Sequence, residues 1–212
     1  MRKIKILTAL IGVAAQMLLS GCMGDFLQPK QDPTKYYIIS PLNSPKTIAG
    51  AKDVMLNVSQ VRIPAYMTRQ QIVTAKKGSS EIIISDFHRL PEFPVDAFTR
   101  VLAANISKIA KSEHVYAYPA TAPKPESIGV RVTIFECMGV LDEELSFKAR
   151  WELVKPEGAK IVAQKTEFFS KKIPAKRGYD GYVSSMGEAL GELAADIVEG
   201  IVEFKGKNYS AE

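Results

Sequence analysis

Side chains that could do covalent or acid–base chemistry are sparse in this chain of 212 residues, which holds two cysteines, Cys22 and Cys137, and two histidines, His88 and His114. The histidines share no H-x-x-x-H or H-x-x-E spacing. A zinc centre needs three or four clustered ligands, so both histidines read as ordinary surface or half-buried side chains. Cys137 lies in a β-rich run beside Phe135 and Met138, the setting of a packed and inert thiol. No G-x-S-x-G elbow and no G-x-x-x-x-G-K-[ST] phosphate loop occurs. What remains is Cys22, set among small residues just after an apolar run near the N-terminus. That is a place for a thiol to be modified, not one for it to catalyse.

The run before Cys22 has a clear order. Met1–Lys5 carries Arg2, Lys3 and Lys5 with no acid, and Ile6–Leu19 is almost wholly apolar. A positive segment followed by a short apolar one is the layout of a secretory signal. It is too short for a transmembrane helix, which takes ~20 apolar residues. Leu19-Ser20-Gly21-Cys22 then resembles the bacterial lipobox. That resemblance implies a thioether-linked diacylglycerol on Cys22, cleavage after Gly21 and acylation of the new α-amine. The covalent N-acyl and S-diacylglycerol lipid would be the only added group, with no metal and no other cofactor. Each buried methylene contributes ~0.8 kcal/mol, and two or three chains make a stable anchor. In the bacterial lipoprotein pattern an Asp after the cysteine favours inner-membrane retention. Met23 stands there, so the expected location is the outer membrane, facing the periplasm.

The chain therefore divides into a signal peptide over residues 1–21, a lipidated N-terminus and polar linker over 22–34, and a single α+β periplasmic domain over 35–212. The linker MGDFLQPKQDPT could hold the domain at most ~40 Å from the membrane. Hydrophobic residues make up 46% of the sequence, enough for a real core. The net charge of +5 misleads. Three of the 28 basic residues leave with the signal, so 25 face 23 acidic ones, and that balance does not argue for nucleic acid. With Cys22 acylated, Cys137 is left as the one thiol, and stability must come from packing.

Periodicity outlines the domain. Tyr36–Ser40 reads as a first strand closed by Pro41. Val54–Ile63 reads as a second; its apolar parity flips between Val58 and Val61, which predicts a bulge near Ser59-Gln60. Gln71–Thr74 and Glu81–Ser85 look like a hairpin turning at Lys76-Lys77-Gly78-Ser79. Pro94 suits the first position of a helix. Val95, Phe98, Val101, Leu102, Asn105, Ile106 and Ile109 follow at helical spacing, with Asn105 the one polar member. Val115–Tyr118, Ile128–Val140, Leu145–Leu153 and Ile161–Ser170 are further strands, with turns at Leu141–Glu144 and Pro156–Gly158. In Leu145–Leu153 the alternation is strict, which puts Trp151 on the buried face and Arg150 on the wet one. A closing helix runs from about Tyr182 to Phe204 on Val183, Met186, Leu190, Leu193, Ile197, Ile201 and Phe204. Gly187-x-x-x-Gly191 in that helix points to close local packing against the sheet. Strands followed by one helix, twice over, give an α+β fold: a largely antiparallel β-sheet with two long helices packed on one face.

Two stretches carry a more specific likeness. VRIPAYMTRQQIVT at 61–74, then EIIISDFHRLPEFPVDAFTRVLAANI at 81–106, together with YYIISPL at 36–42 and the lipobox, resemble the ABC-type transport auxiliary lipoprotein family, and within it the PqiC-like lipoproteins. One departure is Leu90, where the family usually has Trp. The resemblance implies a non-enzymatic subunit of an envelope lipid-transport system. It would dock with a periplasmic MCE-domain protein that carries phospholipid between the inner and outer membranes, and a ring of copies is one form the docked state could take. Pro64–Arg69 lies between two strands, and Tyr66, Met67 and Arg69 are residue types enriched at interfaces. They either face that partner or, for Tyr66 and Met67, fold back over the core. The alternative class is an outer-membrane-anchored hydrolase or small-ligand-binding lipoprotein that uses the anchor only for location.

Overall fold

The computed structural model describes residues 31–52, 54–119, 127–155 and 160–209, with side chains of 207–209 left aside. The signal segment, Leu19, Ser20, Gly21 and Cys22, most of the linker, the Pro-rich loop before Ser127 and the Pro156–Gly158 turn lie outside the described residues. All elements below belong to the unit that begins at Thr34.

Among the described residues eight strands and two helices follow one another as β1 (Lys35–Tyr36), β2 (Leu56–Val58), a 3-10 turn (Ala65–Met67), β3 (Gln71–Ala75), β4 (Ile82–Arg89), α1 (Pro94–Ala110), β5 (Val115–Ala117), β6 (Ile128–Gly139), β7 (Glu144–Val154), β8 (Ile161–Lys172) and α2 (Gly178–Tyr209). They form two sheets, ordered β1-β4-β3 and β5-β2-β6-β7-β8. The long β6-β7-β8 meander and the β3-β4 hairpin are antiparallel. The short strands at the margins, β1 against β4 and β2 against β5 and β6, pair parallel. The α+β class with mostly antiparallel sheets and two long helices packed against them is thus what the chain adopts.

Alternation settles which face of the meander is dry. Leu145, Phe147, Ala149, Trp151 and Leu153 of β7 are buried, as are Val130, Val132, Ile134 and Cys137 of β6. The step from Ile134 to Cys137 breaks the period of two because Phe135 is an extra residue: Ile134 pairs with Ala149 and Glu136 with Lys148. The bulge expected near Ser59-Gln60 is also present in register. Val58 pairs with Val130, yet Arg62 bridges Thr133, so four steps on one strand match three on the other.

α1 starts with Pro94 as its first residue, carries Asp96 in the first turn and ends on Lys111 at φ 52. Phe98, Val101, Leu102, Ile106 and Ile109 are buried. In α2 Val183, Met186, Leu190, Leu193, Ile197 and Ile201 are buried, as expected, while Phe204 at the end of the stripe is half-buried against the core; the helix begins one turn earlier, and Tyr182 joins the core. Its hydroxyl donates to the Val73 carbonyl at 3.0 Å, tying α2 to the smaller sheet.

The strand expected over Val54–Ile63 is confined to Leu56–Val58, with Arg62 an isolated bridge beyond the bulge. Two further expectations change. The first strand is only two residues long. The Tyr37 amide still donates to the Arg89 carbonyl at 2.9 Å, and from Ile38 to Leu42 the chain leaves the ladder because side chains of α1 take its backbone groups instead. The Arg100 guanidinium donates to the Ile39 carbonyl at 3.3 Å, Asn105 Oδ1 accepts from the Leu42 amide at 2.8 Å, and Lys108 Nζ donates to the Leu42 carbonyl at 2.7 Å. The polar member of the α1 stripe is therefore a bracket for this strap. The second change concerns Gly187 and Gly191, which pack against the strap and not the sheet. A Cβ on Gly187 would sit 2.7 Å from the Ser40 carbonyl oxygen, and one on Gly191 would overlap the Leu42 side chain. Glycine costs a helix ~1 kcal/mol relative to alanine, so these positions trade helix propensity for close approach. Gly187→Val is expected to destabilise by about 1–3 kcal/mol, because the strap backbone must lift. A urea melt checks it; an unchanged midpoint would show the strap is not seated there.

Candidate functional site

The smaller sheet holds the surface that stands out. β4 carries Ile82, Ile83 and Ile84, exposed by 43%, 44% and 40%, and Phe87 is exposed as well. A strand with three consecutive isoleucines has no polar face to turn outward, so whichever face it buries, isoleucine meets water on the other. β3 pairs with β4 on one side, through Val73–Ile84, Thr74–Ile83 and Ala75–Ile82. On the other side β1 pairs only with His88 and Arg89. Among the described residues no strand covers the outer edge of β4 from Ile82 to Phe87. An open edge of this kind leaves N–H and C=O groups unpaired and is a template for another chain. Exposed Tyr36 ends β1, and exposed Ile38 follows it on the strap. The base of the strand is held firmly. His88 stacks on Tyr179 at 3.9 Å between ring centroids, with Tyr37 beside both, and Ser85 Oγ lies 3.0 Å from His88 Nδ1. Burial and the neighbouring Lys35 lower the His88 pKa from its ordinary value.

The residues singled out in Pro64–Arg69 separate by burial. Met67 is 6% exposed and belongs to the core. Tyr66 is half-buried and packs on that core, and its hydroxyl accepts the Cys137 backbone N–H at 3.4 Å. Burial raises its pKa. Of the two readings the loop allowed, folding back over the core is the one these two side chains adopt. Arg69 is exposed, in the turn that leads into β3. It therefore stands beside the smaller sheet that carries the isoleucine edge.

Cys137 is fully buried in the main sheet, and desolvation pushes its thiol pKa far up, which leaves no thiolate to act as a nucleophile. His88 and His114 belong to separate elements, and no group of three His, Cys, Asp or Glu side chains that could hold a metal ion occurs among the described residues. No helix among them is long and apolar enough to cross a membrane.

The isoleucine edge was missed in the sequence, although its signal was there. EIIIS at 81–85 fails the alternation of a half-buried strand, and that failure marks a strand with both faces apolar. Leu90 is 4% exposed and fills part of the core.

Comparison with known proteins follows the geometry. No curated protein matches the chain. Two crystal structures share the fold: an uncharacterised protein at 19% identity and a TM-score of 0.60, covering 78% of this chain and 99% of its own, and a DUF330 protein from Xanthomonas campestris at 12% identity and 0.63, covering 82% and 99%. At such identities they speak for the fold alone. The family model described as the ABC-type transport auxiliary lipoprotein component matches residues 36–198, from the strap through most of α2. The chain belongs to the ABC-type transport auxiliary lipoprotein family.

Proposed function

We propose that this protein is a non-catalytic docking subunit of an envelope lipid-transport system. An acylated Cys22 would tether it to the periplasmic face of the outer membrane. The domain would then engage an MCE-domain conduit protein that moves phospholipid between the two membranes. Family membership supports the transport setting. The observation that carries the docking role is the open β4 edge, with Ile82, Ile83, Ile84 and Phe87 exposed beside unpaired backbone. An extended segment of the partner could add to that edge, main-chain bonds giving affinity and the isoleucines giving specificity. Arg69, exposed in the turn before β3, would supply a charged contact at the other end of the same sheet. A tether of this length raises the domain's effective concentration at the membrane that donates or receives lipid.

The test is capture of the MCE-domain protein by the purified protein. Ile83→Lys with Phe87→Lys places two charges on one face of the edge strand and is expected to weaken binding by roughly 30-fold or more. Arg69→Glu should weaken it less and make it less sensitive to salt. Thermal melts should hardly move, because all three side chains are exposed. Undiminished capture by a folded double variant would place the interface elsewhere. Turnover of an envelope substrate without any captured partner would favour the hydrolase alternative.

A further inference from the structure

The wet face of the larger sheet carries a row of groups arranged for an anion. Arg62 bridges Thr133, Thr133 pairs with Arg150, and Arg150 pairs with Thr166, so the four stand level across adjacent strands. Strands lie ~4.8 Å apart, so the two arginines straddle Thr133 with ~10 Å between their backbones. Both are exposed, and among the described residues neither has a carboxylate within ion-pair distance. One acid, Glu152, lines the groove, and it stands directly opposite Arg131 in the ladder, so the lining carries three arginines to one carboxylate. Arg150 is already oriented: its guanidinium lies 5.5 Å from the Phe135 ring centroid, and its Nε reaches Thr166 Oγ1 at 3.5 Å. Phe135 is present at this level because of the β6 bulge, which turns its ring outward. Arg62, Thr133, Phe135 and Arg150 line a groove of about 440 Å³ together with Ser59, Gln60, Arg131 and Glu152, and Thr166 stands at its margin beside Arg150. One step along the same face, Phe168 of β8 is also exposed, opposite Lys148.

We infer that this groove binds the phosphate ester headgroup of an amphiphile. Arg62 and Arg150 would hold the phosphate oxygens, the Thr133 and Thr166 hydroxyls would complete the donor set, and Phe135 with Phe168 would take the apolar part. Arginine forks suit phosphate because they present paired donors in a fixed plane. A ring under one guanidinium limits the freedom lost on binding. A merely solvated basic face explains neither why Arg62 and Arg150 form no ion pair, with Glu152 set against Arg131, nor two exposed phenylalanines beside them. The site lies on the larger sheet and does not depend on partner docking at β4.

The experiment titrates the full-length protein, held in an uncharged maltoside detergent, with dihexanoyl-phosphatidylglycerol by calorimetry. Glycerol 3-phosphate and a polyglutamate peptide are the other two arms. The lipid is expected to bind more tightly than glycerol 3-phosphate. Arg62→Gln with Arg150→Gln should weaken lipid binding at least about tenfold, with no change in the melt, whereas Lys46→Gln outside the groove should have no effect. Phe135→Ala should remove the lipid's advantage over glycerol 3-phosphate. Equal binding of the two phosphates would overturn the amphiphile assignment in favour of a soluble ester. Equal binding by the wild type and the double arginine variant, preference for the acidic peptide, or no heat with any probe would overturn the site itself.

Discussion

Trp151→Ala is expected to lower the free energy of unfolding by about 3–5 kcal/mol, the range for removing a fully buried aromatic side chain. Trp151 is 3% exposed, in the middle of β7 with Arg150 outward beside it. Its six-membered ring lies under α2 at Gly200, where a Cβ would overlap it. Its Nε1–H donates to Asp196 at 2.5 Å, and Asp196 also takes Lys165 Nζ at 2.5 Å. Those bonds to Asp196 and Glu167 raise the Lys165 pKa. Removing the ring thus creates a cavity between sheet and helix and takes one donor from a largely buried carboxylate. Trp151→Phe should cost less, since it keeps much of the packing and loses the N–H. A urea melt that shows a loss below about 1 kcal/mol for Trp151→Ala would contradict this packing.

The second large effect is on location. Cys22→Ala is expected to abolish membrane attachment or leave the chain uncleaved, since each acyl methylene contributes ~0.8 kcal/mol and a stable anchor needs more than one chain. Fractionation should move the protein out of the outer-membrane fraction. Mass spectrometry of the wild-type N-terminus should find a triacylated residue 22. An unmodified chain beginning at another residue would contradict the lipid anchor.

Much of the domain was legible because local periodicity and tertiary burial agree. The stripes of both helices and the alternation of β7 each named the buried residues that the fold uses, and the parity flip before Val61 located a bulge. Legibility failed where backbone groups are satisfied by distant side chains. Nothing in YYIISPL announces that Arg100, Asn105 and Lys108 will take its carbonyls and amide in place of a strand partner. The glycines of α2 signalled a close approach, but the approaching element could not be named from spacing. In Pro64–Arg69 the composition leaves two readings open for Tyr66 and Met67, and only burial separates them: Met67 is buried, Tyr66 is half-buried on the core and Arg69 is exposed. The arginine row is invisible in one dimension, because Arg62, Thr133, Arg150 and Thr166 meet only through the register of four strands.

The most direct measurement of the docking role is photo-crosslinking in intact cells. Ile83 on the open edge of β4 is replaced by p-benzoylphenylalanine in the full-length protein, with Lys46 replaced likewise as a control outside the edge. Irradiation is predicted to join the Ile83 probe, and not the Lys46 probe, to an MCE-domain protein of the envelope, with loss of that product when Phe87→Lys is added. An Ile83 probe that meets only solvent, in cells where the MCE-domain protein still co-purifies with this chain, would contradict docking through β4.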